Sequence, residues 1–311
     1  MMKNLPFFWS TKTLILDDDS FFLEELKSVL GKNPQYVFFT NPKEAKAYLD
    51  NQNFQMNWYI KNPVATKIEE SHYDINYDLI PSVISNDQRF NLVSNVIVDY
   101  HMPTMSGVEF CQQIQSKKLL RKTLLTSSID LSEAIENLNS QTINSFIDKK
   151  TISKKNFLKN HIMEQEVDYF ANVTSLIAES ILIENPEHPF LSKEYNDIIS
   201  NIISDYKIQQ YYLVNKSGTY LMIDSNNIRY NVFLLSGDDI EEMELEAKDN
   251  NLDKAIYLSL KTKNKAICFC DRNNTSDWPH FSQWDKHLHL VKNFAIGSDK
   301  YYYSVVKQAN N

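Results

Sequence analysis

The chain has 311 residues, 42% of them hydrophobic and 23% charged, with a formal net charge of −8. No apolar stretch approaches the roughly 20 residues of a membrane span; the longest, around Leu176 to Ile183, is interrupted by Glu179, and three cysteines (Cys111, Cys268, Cys270) suggest no disulfide framework. The opening MMKNLPFFWSTK lacks the sustained apolar core and small-residue cleavage site of a secretory leader, so a cytoplasmic protein is expected.

The first predicted strand, TLIL, ends in Asp17, Asp18 and Asp19. An amphipathic helix follows from about Ser20 to Leu30, with Phe22, Leu26, Val29 and Leu30 on one stripe and Gly31 as its stop. A second strand, YVFFT, leads to a helix starting near Asn41-Pro42. The stretch from about residue 51 to 94 is long for a loop and mixes Trp58, Tyr59, Tyr73 and Tyr77 with polar residues. It reads as a partly helical insertion packed on the first domain. The run NVIV then closes on Asp99 and is followed by Met102, Pro103, Met105 and Gly107; TLLT closes on Thr126, and SFID precedes Lys149. This order fits an α/β, doubly wound, five-stranded parallel sheet, whose strand C-termini open into one crevice. Carboxylates gathered there are hard oxygen ligands suited to Mg2+, and a lysine and a hydroxyl facing them suit a phosphoryl group.

The segments ILDDD, VIVDYHMPTMSG, LLTS and FIDKK, in that order, resemble the receiver domain of two-component response regulators over roughly the first half of the chain. The resemblance implies that Asp99 is the phosphoacceptor, that Asp17 and Asp18 are the acidic pair holding Mg2+ with Asp99, and that the backbone carbonyl of His101 is a further ligand. It also implies that Thr126 is the switch hydroxyl, Lys149 the phosphate-sensing lysine and Phe146 the rotating aromatic. The phosphoryl donor would be a sensor histidine kinase or a phosphotransfer protein, and the domain would be a switch that assists its own phosphorylation and dephosphorylation, not an enzyme otherwise. Two positions depart from the family: Lys150 stands where a proline is usual, and Ser127 and Ser128 follow the switch hydroxyl where alanine is common.

Beyond Lys149, residues 154 to 184 hold no Gly or Pro, and Met163, Val167, Phe170, Ile177 and Ile181 fall on one helical seam. The seam is a candidate dimerisation helix, and a homodimer is expected; the competing reading is a helix packed on its own domain. After Asn185-Pro186 and a periodic segment near Leu191 to Lys207, the runs QQYYLV, TYLMID and IRYNVFLL alternate with turns at Lys216-Ser217-Gly218 and Ser225-Asn226-Asn227, as in an antiparallel meander. Ser236 to Asp239 looks like a helix start, and AICFC and YYYSVV like later strands. The expected layout is a receiver over 1–152, a helical linker over 153–185 and a small α+β output domain over 186–311.

The whole layout resembles the response regulators of α-hydroxyketone quorum-sensing systems. Residues 1 to 160 hold 18 Lys+Arg and 18 Asp+Glu, whereas residues 161 to 311 hold 14 and 22. An acidic second half disfavours direct DNA binding, which needs a basic face. A protein-interaction output is therefore favoured, with a PAS-like small-ligand or nucleotide sensor and a DNA-binding regulator as alternatives. Cys268 and Cys270 with His280, His287 and His289 lack the usual zinc-finger spacing, and Trp278, Trp284 and Tyr301 to Tyr303 read as aromatic core.

Overall fold

A computed structural model describes residues 5–52, 60–61, 74–127, 131–154, 156–184, 187–269 and 279–308. The chain divides into two compact units: Trp9–Met56 with Val83–Ser175, and Met1–Phe8 with Asn57–Ser82 and Leu176–Asn311.

The first unit is built on five parallel strands, β1 (Lys12–Leu16), β2 (Tyr36–Phe39), β3 (Val93–Asp99), β4 (Arg121–Thr126) and β5 (Ser145–Asp148), in the order β2-β1-β3-β4-β5. Its helices are α1 (Ser20–Leu30), α2 (Pro42–Asp50), α3 (Gly107–Gln113), α4 (Leu131–Asn139) and α5 (Phe157–Val173). Both faces of the sheet are covered, which is why its strands read as continuous apolar runs. Leu14, Leu16, Val96, Val98 and Leu124 face Ala45 and Leu49 of α2 and Phe110 and Cys111 of α3. The alternate residues Ile15, Ile97, Leu125 and Ile147 face Leu23, Leu26 and Leu30 of α1 and Leu158 and Ile162 of α5. Strand order reverses between β1 and β3, so the crevice of this doubly wound sheet opens at the ends of those two strands.

Local chemistry sets the helix ends. Asp19 caps α1 by accepting from the Phe21 and Phe22 amides, Gly31 ends it at φ +80°, and Asn41 caps α2 with Pro42 in its first turn. The buried stripe of α1 is Leu23, Leu26 and Leu30; Val29, read from sequence as part of it, is 40% exposed and Phe21 86%.

Two expectations about the organisation of the chain need correcting. The helix of the 153–185 segment is not a free-standing linker. It is α5, a layer of the first unit, and it buries Leu158, Ile162, Gln165, Tyr169, Phe170 and Val173. Of the seam residues, Met163 is 48% exposed while Phe170, Ile177 and Ile181 are buried, and the helix breaks at Thr174, whose hydroxyl bonds back to Phe170 O, before resuming at Ser175–Glu184. The seam is thus divided between the two units. Within the 51–94 segment, the described residues 60–61 and 74–82 belong to the second unit and not to the sheet that flanks them in sequence. Tyr77, on a 3-10 turn at Tyr77–Leu79, lies near Tyr220 of that second unit, whose pKa is raised by burial first and then by Tyr195, Tyr211 and Tyr77. Trp58, Tyr59 and Tyr73 lie outside the described residues.

The second unit carries a six-stranded antiparallel sheet. In spatial order its strands are Phe7–Phe8, Ile208–Leu213, Tyr220–Asp224, Arg229–Ser236, Asp299–Lys307 and Lys292–Ile296. The central meander and its turns fall where the sequence puts them: Gly218 adopts φ +95°, and Asp224 accepts from the Asn226 and Ile228 amides at the second turn. The edge strand has no counterpart among the strands expected from sequence. Phe7 and Phe8 pair with Tyr212 and Tyr211, so the first residues of the chain join the unit built mainly by its last third. Ser236 caps the helix Gly237–Asp249 in a capping box with Asp239. That helix, the helix Lys254–Lys261 and the hairpin Lys265–Ile267 with Leu288–Leu290 enclose a core around Trp284 and Tyr302.

Candidate functional site

The triple aspartate divides into three roles. Asp17, one residue past β1, is 1% exposed; Asp18 is exposed; Asp19 is spent on the cap of α1. Asp99 closes β3 and is buried. Carboxylate oxygens of Asp17, Asp18 and Asp99 all lie within 4.8 Å of one another, a grouping that no other set of His, Cys, Asp and Glu makes among the described residues. Strand register brings the remaining residues to the same edge. Asp99 pairs with Leu125, Thr126 follows on β4 and pairs with Asp148, and Lys149 comes next. Lys149 Nζ reaches Asp17 Oδ2 and Asp99 Oδ1, each at 2.7 Å. The three strand tips converge as the sequence predicts.

The electrostatics are those of a crowded acidic pocket relieved by one cation. Burial holds the Asp17 carboxyl above its usual pKa, with repulsion from Asp99 adding to it, and hydrogen bonds from Lys149 and the Asp19 amide pull the other way. Burial also works against the Lys149 cation, but its hydrogen bonds to Asp17 and Asp99 outweigh burial and its pKa is raised. A pocket that gathers two buried carboxylates and an exposed one around a single lysine ammonium fits a divalent cation with hard oxygen ligands. His101 contributes its backbone amide, which donates to Asp99 Oδ2 at 3.1 Å.

The loop after Asp99 is shaped by its glycine. The Gly107 amide donates to Tyr100 O at 2.9 Å, and a Cβ at position 107 would stand 2.3 Å from Asp99 O, so only glycine allows the loop to close over the strand end. Ser106 caps α3 in a reciprocal box with Glu109. Thr126 is buried at its strand tip, whereas Phe146, opposite Leu124 on β5, is 39% exposed. Lys150 is explained locally: its amide donates to Asp148 Oδ1 at 2.8 Å, a bond that proline lacks. Ser128 lies outside the described residues.

One residue at the site carries no distinguishing signal in the sequence. The Phe22 ring lies beneath the Lys149 ammonium, 4.3 Å from centroid to Nζ. In sequence Phe22 is only one more apolar residue on the helix stripe. In the second unit, Cys268 is buried, which pushes its thiol up to about 12, and its amide donates to His287 O; Cys270 and Trp278 lie outside the described residues. Trp284 is fully buried and donates to Pro279 O, as core aromatics do.

The first unit has the doubly wound fold of CheY-like receiver domains, and the second is an antiparallel α+β unit. Among solved structures, the response regulator LqsR of Legionella pneumophila superposes with a TM-score of 0.75 over 99% of this chain and 91% of its own, at 22% identity. A CheY-like receiver domain from Methanospirillum hungatei JF-1 aligns with 52% of this chain and 98% of its own, at 16% identity and a TM-score of 0.35. No family model matches the chain, and neither does any curated protein sequence. No helix among the described residues is long and apolar enough to cross a membrane.

Proposed function

We propose that the protein is a phosphorylation-controlled response regulator in which Asp99 accepts the phosphoryl group. The reading is carried by one observation: three carboxylates from two strand ends gather within 4.8 Å, and the lysine from a third strand end bridges two of them. An oxygen of Asp99 attacks phosphorus as the bond to the donor breaks, with phosphohistidine of a sensor kinase or phosphotransfer protein losing its imidazole, or acetyl phosphate losing acetate. Asp17, Asp18 and Asp99, with the His101 carbonyl, would hold a Mg2+ ion that neutralises the phosphoryl oxygens. Lys149 would take one of those oxygens and Thr126 another, and Phe146 would turn inward behind Thr126. The local charge change then biases the β4 and β5 face between two states.

In this proposal the first unit is a switch that assists its own phosphorylation and dephosphorylation. The antiparallel unit is the output, acting in the cytoplasm through protein contacts in a quorum-sensing phosphorelay and not by binding DNA. Support for a protein output is the acidic second half of the chain. The test is mass spectrometry of wild type and Asp99→Asn after treatment with acetyl phosphate and Mg2+. One phosphoryl group on the wild type and none on the variant is expected; labelling of the variant refutes the assigned acceptor.

A further inference from the structure

The Lys149 ammonium is not held by carboxylates alone. Its Nζ sits 2.7 Å from Asp17 Oδ2, 2.7 Å from Asp99 Oδ1 and 4.3 Å from the centre of the Phe22 ring. A cation within about 6 Å of an aromatic face is attracted by the ring quadrupole, more strongly where water is excluded. Phe22 is itself fixed on two sides. Its amide donates to Asp19 Oδ1 at 3.2 Å, and its side chain packs on the core formed by Ile15, Leu23, Ile97 and Ile147. The ring is therefore a third wall of the lysine seat.

We propose that Phe22 is a positioning residue, whose ring face seats the Lys149 ammonium across Asp17 and Asp99 and so sets the competition between that lysine and a divalent cation. The inference rests on the reading of Asp99 and its metal given above. The same two carboxylates are lysine partners in this structure and cation ligands in the proposed reaction, so whatever stabilises the seated ammonium weakens the ion. The same wall keeps the amine at the strand tips, where it meets a phosphoryl oxygen on Asp99. Removing the ring face moves these two quantities in opposite directions, whereas general damage to the pocket would worsen both.

An interaction of this kind corresponds to a factor of about 2 to 30. In the full-length protein, Phe22→Leu is expected to tighten Mg2+ binding about threefold in calorimetry. It is also expected to slow phosphorylation by acetyl phosphate at saturating Mg2+ by about threefold or more, and Phe22→Tyr, which keeps a ring face, restores both. Proton NMR of the Mg2+-free protein supplies a readout that needs no phosphorylation. The Lys149 ε-methylene signals should be shifted upfield by the ring in wild type and Phe22→Tyr, and return to ordinary lysine positions in Phe22→Leu. If Phe22→Leu fails to fold, the wild-type shift alone decides whether the ring seats the lysine. Unshifted wild-type ε-methylene signals, or Mg2+ affinity and phosphorylation falling together in Phe22→Leu without rescue by tyrosine, overturn the proposal. A wild type that binds Mg2+ and shows the ring shift but takes no phosphoryl group overturns the function proposed for Asp99 and leaves the Phe22 seat standing.

Discussion

At the scale of single residues, the site is organised at a cost to stability. Asp17 has a folded pKa above its ordinary 3.8, so its ionised form is disfavoured by folding, and stability is lost as pH rises from 3.8 through the folded value. Asp17→Asn is therefore expected to raise the thermal midpoint of the Mg2+-free protein at pH 7, with the gain vanishing as pH falls to about 3.8; a lower midpoint at pH 7 would contradict the burial argument. Lys149 has the opposite linkage. Its raised pKa contributes stability that is complete below the ordinary 10.5 and lost as pH rises through the folded value, so the difference between wild type and Lys149→Met should be flat near neutrality and shrink only in strong alkali. Gly107 is the third case. A methyl group 2.3 Å from Asp99 O has to displace backbone, so Gly107→Ala should cost about 1–3 kcal/mol in urea unfolding and slow phosphorylation. Among these residues, Asp17, Asp99 and Lys149 were legible in the sequence because a carboxylate or lysine after an apolar run marks a strand tip. Phe22 was not, because periodicity assigns a helix face and cannot say which cation lies above it.

At the scale of elements, the least legible part of the first unit is the underside of α5. Sequence periodicity counts apolar residues, but this helix is fastened along much of its length by polar ones. Glu166 accepts from the Thr11 amide at 2.9 Å and the Thr11 hydroxyl at 2.8 Å, Gln165 accepts from Arg121 Nε at 3.1 Å, and His161 lies 3.1 Å from the Thr123 hydroxyl. The exposed Met163 and the buried Gln165 together misdirect any apolar seam. Glu166→Ala leaves the Thr11 donors without this acceptor and should cost about 1–3 kcal/mol by urea titration, with Glu166→Gln costing less. Close by on the sheet, Thr13 and Asn95 are register partners, and Thr13 Oγ1 and both amide atoms of Asn95 are buried without hydrogen-bond partners. Thr13→Val, which removes an unsatisfied hydroxyl at nearly constant shape, is expected to be neutral or stabilising by about 1 kcal/mol; a loss of several kcal/mol would mean that the hydroxyl is paired in solution.

At the scale of the whole molecule, the chain does not divide where its composition changes. The parallel sheet was readable because its strands alternate with helices in sequence. The antiparallel sheet was readable only in its local meander. Its edge pairs Phe7 with Tyr212, about 200 positions away, and no local pattern announces such a contact. The helical seam is not a continuous exposed stripe, since Phe170, Ile177 and Ile181 are buried while Met163 is 48% exposed. Met163→Asp should leave the sedimentation coefficient unchanged, and a change of oligomeric state would return the seam to consideration.

The central claim is that Asp99 is a metal-dependent phosphoacceptor, and trapping its acyl phosphate tests this most directly. The protein is incubated with acetyl phosphate, reduced with borohydride and mapped by peptide mass spectrometry with and without Mg2+. The account predicts reduction at Asp99 alone, and only with Mg2+ present. Modification at another residue, or at Asp99 equally without the ion, would contradict it.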